Sequence, residues 1–140
     1  MFLENQMIHV HGGAQMDSIL TTIKKLLGYR EEFEDFDVDI IVSINTALNA
    51  LTQNGVGPKE GFKITGKEET WEEFLGDNPR LESAKDYVYI KTKLMFDSTQ
   101  MSASLIEKYN QIADEIEWRL NVEKDSSGFF KEDDEDKGGE

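Results

Sequence analysis

The chain has 140 residues, 38% of them hydrophobic and 10% aromatic, enough for one modest core and too few for two. Its 29 acids against 15 Lys and Arg give a formal net charge of -14, a surface that repels free nucleic acid and lacks the basic stripe of a DNA binder. The absence of cysteine excludes disulfides, thiol nucleophiles and thiolate metal sites, and no apolar run approaches a membrane span or a signal peptide, so composition points to a soluble, intracellular protein.

Residues 1–15, MFLENQMIHVHGGAQ, have no period and are expected to be an arm or a leader ahead of Met16; the sequence leaves both open. From Met16 the pattern turns helical. Asp17 or Ser18 caps a first helix with Ile19, Leu20, Ile23, Leu26 and Leu27 on its core side and Gly28 at its end. The acidic connector YREEFEDFD leads to a second helix, capped near Asp37, with Ile40, Ile41, Ile44, Ala47, Leu48 and Leu51 on one face. Asn54-Gly55 ends it.

The stretch that follows breaks the helical pattern. Gly55 and Gly57 permit backbone conformations that other residues avoid, and Pro58 stiffens the exit, so this loop is shaped rather than slack. GFKITGKEE alternates Phe62 and Ile64 with Lys63 and Thr65 and offers Gly66-Lys67 as a turn, which predicts a short β-hairpin-like loop between the second and third helices. Thr70 and Glu73 form a capping box for a one-turn helix that lays Trp71 and Phe74 or Leu75 back on the bundle.

Asn78-Pro79 starts the next helix, with Leu81, Ala84, Val88 and Met95 on one stripe and Tyr87, Ile90 and Leu94 widening it; a helix apolar over so much of its girth is central. The last helix starts at Ser102 or Ser104, the latter able to box with Glu107, and carries Leu105, Ile106, Tyr109, Ile112, Ala113, Ile116 and Leu120. Trp118 falls off that stripe. Residues 123–140 read as an acidic, flexible tail in which Phe129-Phe130 is the one apolar feature. The fold class is therefore all-α, a compact bundle of four principal helices spanning residues 16–122.

Candidates for chemistry are sparse. His9 and His11 sit one residue apart but no third ligand accompanies them, so they read as incidental. KEDDED lacks the alternating oxygen ligands and turn glycine of a calcium loop, and NGVGPKEG lacks the spacing of a phosphate-binding loop. No catalytic, cofactor or metal residue is assigned, and an enzyme is disfavoured.

Several stretches together resemble the head-tail connector proteins of tailed bacteriophages, also called adaptor or head-completion proteins. They are DIIVSINTALNALTQNGVGP, then GFKI followed by TWEEFLGDNPRLESAKDYVYIKTKLMFD, and finally LIEKYNQIADEIEWRLNV. The order of Gly55, Gly57, Pro58, Phe62, Trp71, Leu75 and Gly76, then Glu117-Trp118-Arg119-Leu120, is more specific than helical content. The likeness spans Met16 to Val122 and leaves the N-terminal arm and the acidic end unmatched.

The resemblance implies a structural virion protein of the neck, assembled in the host cytoplasm. About twelve copies would form a ring beneath the portal, extend the DNA channel and offer a platform for the next neck, stopper or tail-completion protein. It implies portal docking by the segment after Trp118, which begins with Arg119, and a tail-side contact by the loop from Gly57 to Glu69, with Phe62, Lys63, Ile64, Thr65, Gly66 and Lys67 as contact candidates and Trp71 at its base. In the unmatched tail, the apolar pair Phe129-Phe130 is itself expected to anchor on the portal. Side chains off the core stripe, Trp118 and Tyr29, suit lateral contacts in such a ring, and DNA would pass an acidic wall without sequence-specific binding. The alternative is an acidic decoy that imitates nucleic acid and occupies a basic host protein; the charge favours it, but it does not require the Gly, Phe and Trp pattern.

Overall fold

A computed structural model describes residues 17–139, with side chains described for residues 17–122. Among these, five α-helices follow in order: α1 (Ile19–Leu27), α2 (Asp37–Gln53), α3 (Trp71–Leu75), α4 (Leu81–Asp97) and α5 (Ala103–Gly139), with a 3-10 turn at Ser98–Gln100. No strand is present among the described residues, and the all-α expectation holds.

The helices begin and end where local chemistry permits. Ser18 caps α1 by accepting from the Thr21 N–H at 3.1 Å, and Gly28 closes it at φ 98°, a left-handed conformation natural to glycine. The start of α4 is Leu81, two to three residues later than Asn78-Pro79 suggested. Asn78 still acts there, its Oδ1 accepting from the Arg80 N–H at 2.9 Å. The cap of α5 is Ser102, which accepts from Leu105 N–H at 3.1 Å, so the Ser104 box does not form the start. The α5 backbone runs on to Gly139, past Val122 where the apolar pattern placed its end.

The core is one cluster. α4 packs against α2, α5 and α1, as its wide apolar girth requires. Ile40, Ile44, Ala47, Leu48 and Leu51 of α2 meet Ala84, Tyr87, Val88 and Ile90 of α4 in the same buried cluster, which Ala113, Ile116 and Leu120 of α5 join. Three residues expected on core-facing stripes are exposed instead: Leu26, Met95 and Leu105, at 51%, 41% and 38%. In return α1 buries Lys24, whose Nζ reaches the Asp37 carboxylate at 2.9 Å and the Glu31 carbonyl at 2.9 Å. A buried ammonium needs both partners, and together they tie the acidic connector to the two helices it joins.

Candidate functional site

The segment between α2 and α3 is held without a hairpin. The predicted strand pairing fails because its partner is a side chain from α2. Asn45 Oδ1 accepts from the Ile64 N–H at 2.7 Å while its Nδ2 donates to the Ile64 carbonyl at 2.9 Å, so one amide replaces a strand neighbour. Ile64 itself is buried at 1% exposure. The turn after it closes on Glu69, whose carboxylate accepts from the Thr65 N–H and hydroxyl at 3.0 and 2.9 Å and from the Gly66 N–H at 3.4 Å. Burial pushes the Glu69 carboxyl up, but these hydrogen bonds outweigh it and hold the group below its ordinary value.

Both feet of the loop are fixed. On the α2 side, the Val56 N–H donates to the Leu51 carbonyl at 2.9 Å and Val56 is buried. Gly57 (φ 94°) passes so close to Phe74 that a Cβ there would lie 2.5 Å from the ring. On the α3 side, the Thr70–Glu73 capping box forms as its spacing predicted. A two-bond bridge joins this foot to the start of α1, Ile19 N–H to the Glu69 carbonyl at 3.0 Å and Trp71 N–H to the Asp17 carbonyl at 3.2 Å. Trp71 and Phe74 are buried beneath, and Phe62 lies on Phe74 with ring centroids 5.5 Å apart.

The candidate contact residues of the loop therefore divide. Ile64 and Trp71 point into the core and Phe62 is half-buried, whereas Lys63, Thr65 and Lys67 are exposed on a braced backbone, with Gly66 half-buried between them.

On α5, Trp118 is 66% exposed and Arg119 pairs with Glu115 at 3.5 Å. The residues flanking this tryptophan are anchored: Asn54, at the end of α2, donates to Glu117 Oε2 at 2.7 Å and accepts from Asn121 Nδ2 at 2.9 Å. Phe129 and Phe130 lie outside the residues whose side chains are described, as do His9 and His11.

One surface escaped the sequence reading. Tyr29, Phe33 and Phe36 of the connector gather with Phe96 from the end of α4, every neighbouring pair of rings 5.5–6.1 Å apart between centroids. Phe33 and Phe36 remain 38% and 41% exposed. Their spacing, four then three residues, was the available signal, hidden by the acids between them.

A family model described as phage connector protein matches residues 19–127. The chain belongs to that family. The match opens on the first residue of α1 and takes in α2, α3, α4 and α5 as far as residue 127, so the braced loop and Trp118 lie inside it. The connector thus has a head-tail connecting role in a phage and is a virion component that works with other head and tail proteins. No curated protein and no solved structure matches the connector. Among the described residues, no helix is long and apolar enough to cross a membrane, and no group of three or more His, Asp or Glu is placed to hold a metal.

Proposed function

We propose that the connector is a non-catalytic ring subunit that sits beneath the portal, extends the DNA channel and presents a platform for the next neck, stopper or tail-completion protein. The observation that carries this reading is the loop. A segment without regular structure whose backbone is clamped by Asn45 and Glu69, with Lys63, Thr65 and Lys67 outward, supports a docking tip whose shape is set before its partner arrives. The segment after Trp118, from Arg119 to Phe129 and Phe130, is the one assigned to the portal side, and the copy number by family resemblance is about twelve. The net charge of -14 suits a channel wall that lets DNA slide, since carboxylates release no phosphate counterions. A ring with a basic lumen would overturn that part.

The test changes the tip and spares its frame. Lys63→Glu with Lys67→Glu leaves Ile64, Asn45 and Glu69 in place, so folding and joining to the portal should match the unaltered chain while tailed particles fall roughly tenfold or more. Counting tailed and tailless heads by electron microscopy reads the effect. Normal tail joining would remove the loop from the platform role. If the unaltered chain fails to join portal rings in mass photometry at any salt concentration, the acidic decoy becomes the better reading.

A further inference from the structure

We infer that the Tyr29, Phe33, Phe36 and Phe96 cluster is a docking site for an arginine-bearing segment of another head or tail protein. This goes beyond the ring reading above and does not depend on it.

The core does not account for all four rings. Tyr29 and Phe96 pack against it, whereas Phe33 lies on Tyr29, 20° from parallel with centroids 5.7 Å apart, and Phe36 lies on Phe96 at 5.7 Å. The outer two are the exposed pair, side by side rather than scattered. Their frame is set in advance. The Tyr29 N–H donates to the Lys24 carbonyl at 2.9 Å, the Phe33 N–H to the Arg30 carbonyl at 3.1 Å and the Asp37 N–H to the Glu34 carbonyl at 3.2 Å, while the buried Lys24 ammonium holds the Glu31 carbonyl and the Asp37 carboxylate. A partner therefore meets a surface already ordered, and little is lost in fixing it. Beside the stacked pair opens a cleft of about 490 Å³ lined by Gly28, Tyr29, Arg30, Glu32 and Phe33.

Charge selects the occupant. Residues 28–39 hold six acids to one cation, Arg30. Asp37 and Asp39 have a task in the fold, in the first turn of α2, where the helix dipole favours them. The carboxylates of Glu31, Glu32, Glu34 and Asp35 have none: all four residues are exposed, and among the described residues their one ion pair is Glu32 with Arg30, at 4.0 Å between side chains 77% and 79% exposed. Arg30 balances Glu32 within the cleft, so Glu31, Glu34 and Asp35 carry the excess. From α4, Asp97 adds to burial in pushing the Tyr29 hydroxyl above its ordinary value, and it is itself paired with Lys93 at 3.5 Å. An acidic segment would be repelled here, and a neutral apolar one would cover carboxylates without replacing their water. A guanidinium meets both halves of the surface, because its flat face stacks on a ring while its edge donates in pairs to a carboxylate.

The probe is a blocked Arg-Leu-Arg peptide titrated into the full chain while NMR follows the phenylalanine ring resonances. A second peptide carries citrulline at both arginine positions, which keeps the planar shape and removes the charge. The expected result is a saturable shift at Phe33, Phe36 and Phe96 from the arginine peptide and binding roughly tenfold weaker from the citrulline one. Phe33→Ser with Phe36→Ser leaves the net charge as it is and should also weaken binding roughly tenfold. Glu34→Gln with Asp35→Asn keeps the rings and serves should the serine pair disturb folding, which circular dichroism reports. It should weaken binding roughly threefold, whereas the same change of charge on α5, Glu107→Gln with Asp114→Asn, leaves it unaltered. Equal binding of the citrulline peptide overturns the cationic occupant. Affinity that survives the serine pair, or that falls equally with the α5 pair, is attraction to the net charge alone and overturns the site, as does the absence of any ring shift. Ring resonances that move with protein concentration in the absence of peptide mean that a second copy covers the cluster, and they overturn the assignment as well. Every readout is a property of the single chain in solution, so none of these results decides the ring reading.

Discussion

The loop between α2 and α3 has no regular structure yet is held on all sides, whereas the outer face of α5 is regular helix and holds nothing. Within the loop Val56, Ile64 and the Trp71 foot are buried to 2% exposure or less, and side chains from α2 and from the loop itself complete its backbone hydrogen bonds. On α5, Trp118 stands 66% exposed at a position where the fold asks nothing of it. Secondary structure and structural necessity are thus separate properties here. A substitution at a buried or clamping loop residue tests the fold, and a substitution at an exposed residue, on the loop tip or the outer helix face, tests contacts with other molecules.

The sharpest way to break the contrast is Gly57→Ala. A side chain at φ 94° costs about 1 kcal/mol, and a Cβ 2.5 Å from Phe74 adds a clash with a buried ring, for a total of about 3 kcal/mol and a fall in Tm of roughly 10 °C. Thermal melts check it; an unchanged Tm would mean that the loop is slack after all. Next is Asn45→Ala, which strands the Ile64 N–H and carbonyl and should cost about 2 kcal/mol in chemical denaturation, with faster amide exchange at Ile64. Asn45→Asp keeps the acceptor and loses the donor, so it should fall between the two.

A smaller effect comes from acid. The folded Glu69 carboxyl titrates below its unfolded value of 4.5, so its clamp contributes fully above that value and is lost as pH falls through the lower folded one. Exchange of the Thr65 and Gly66 amides should quicken across that window, and Glu69→Gln should abolish the dependence. Smallest of all, Trp118→Ala should leave stability within about 0.5 kcal/mol of the unaltered chain despite the size of the residue removed. A larger loss would place Trp118 in the fold rather than on a contact surface.

The same contrast explains what could be read from the sequence. Helix caps at Ser18, Gly28 and Thr70 are decided within four residues and were legible. The hairpin was misread because the group that fixes Ile64 lies nineteen residues away, on a helix whose pattern assigned Asn45 no task. Alternation of Phe62 and Ile64 does mark burial, as a strand would, but here the buried residues face a capping amide rather than a sheet. Lys24 was passed over because a lysine on an apolar face is ordinarily solvated; only the folded position of Asp37 and the Glu31 carbonyl accounts for it. The aromatic cluster needs Phe96, more than fifty residues downstream, before three scattered rings become a surface.

Asn54 has a mechanical consequence. Its one side chain is bonded to Glu117 and to Asn121, and its backbone leads directly into Gly55 and the loop. A load drawing α5 along its own axis must stretch those two bonds or carry Asn54 with it, and whatever moves Asn54 displaces the near foot of the loop. Helix and loop are therefore linked in series through a single residue, so tension taken up at one is felt at the other.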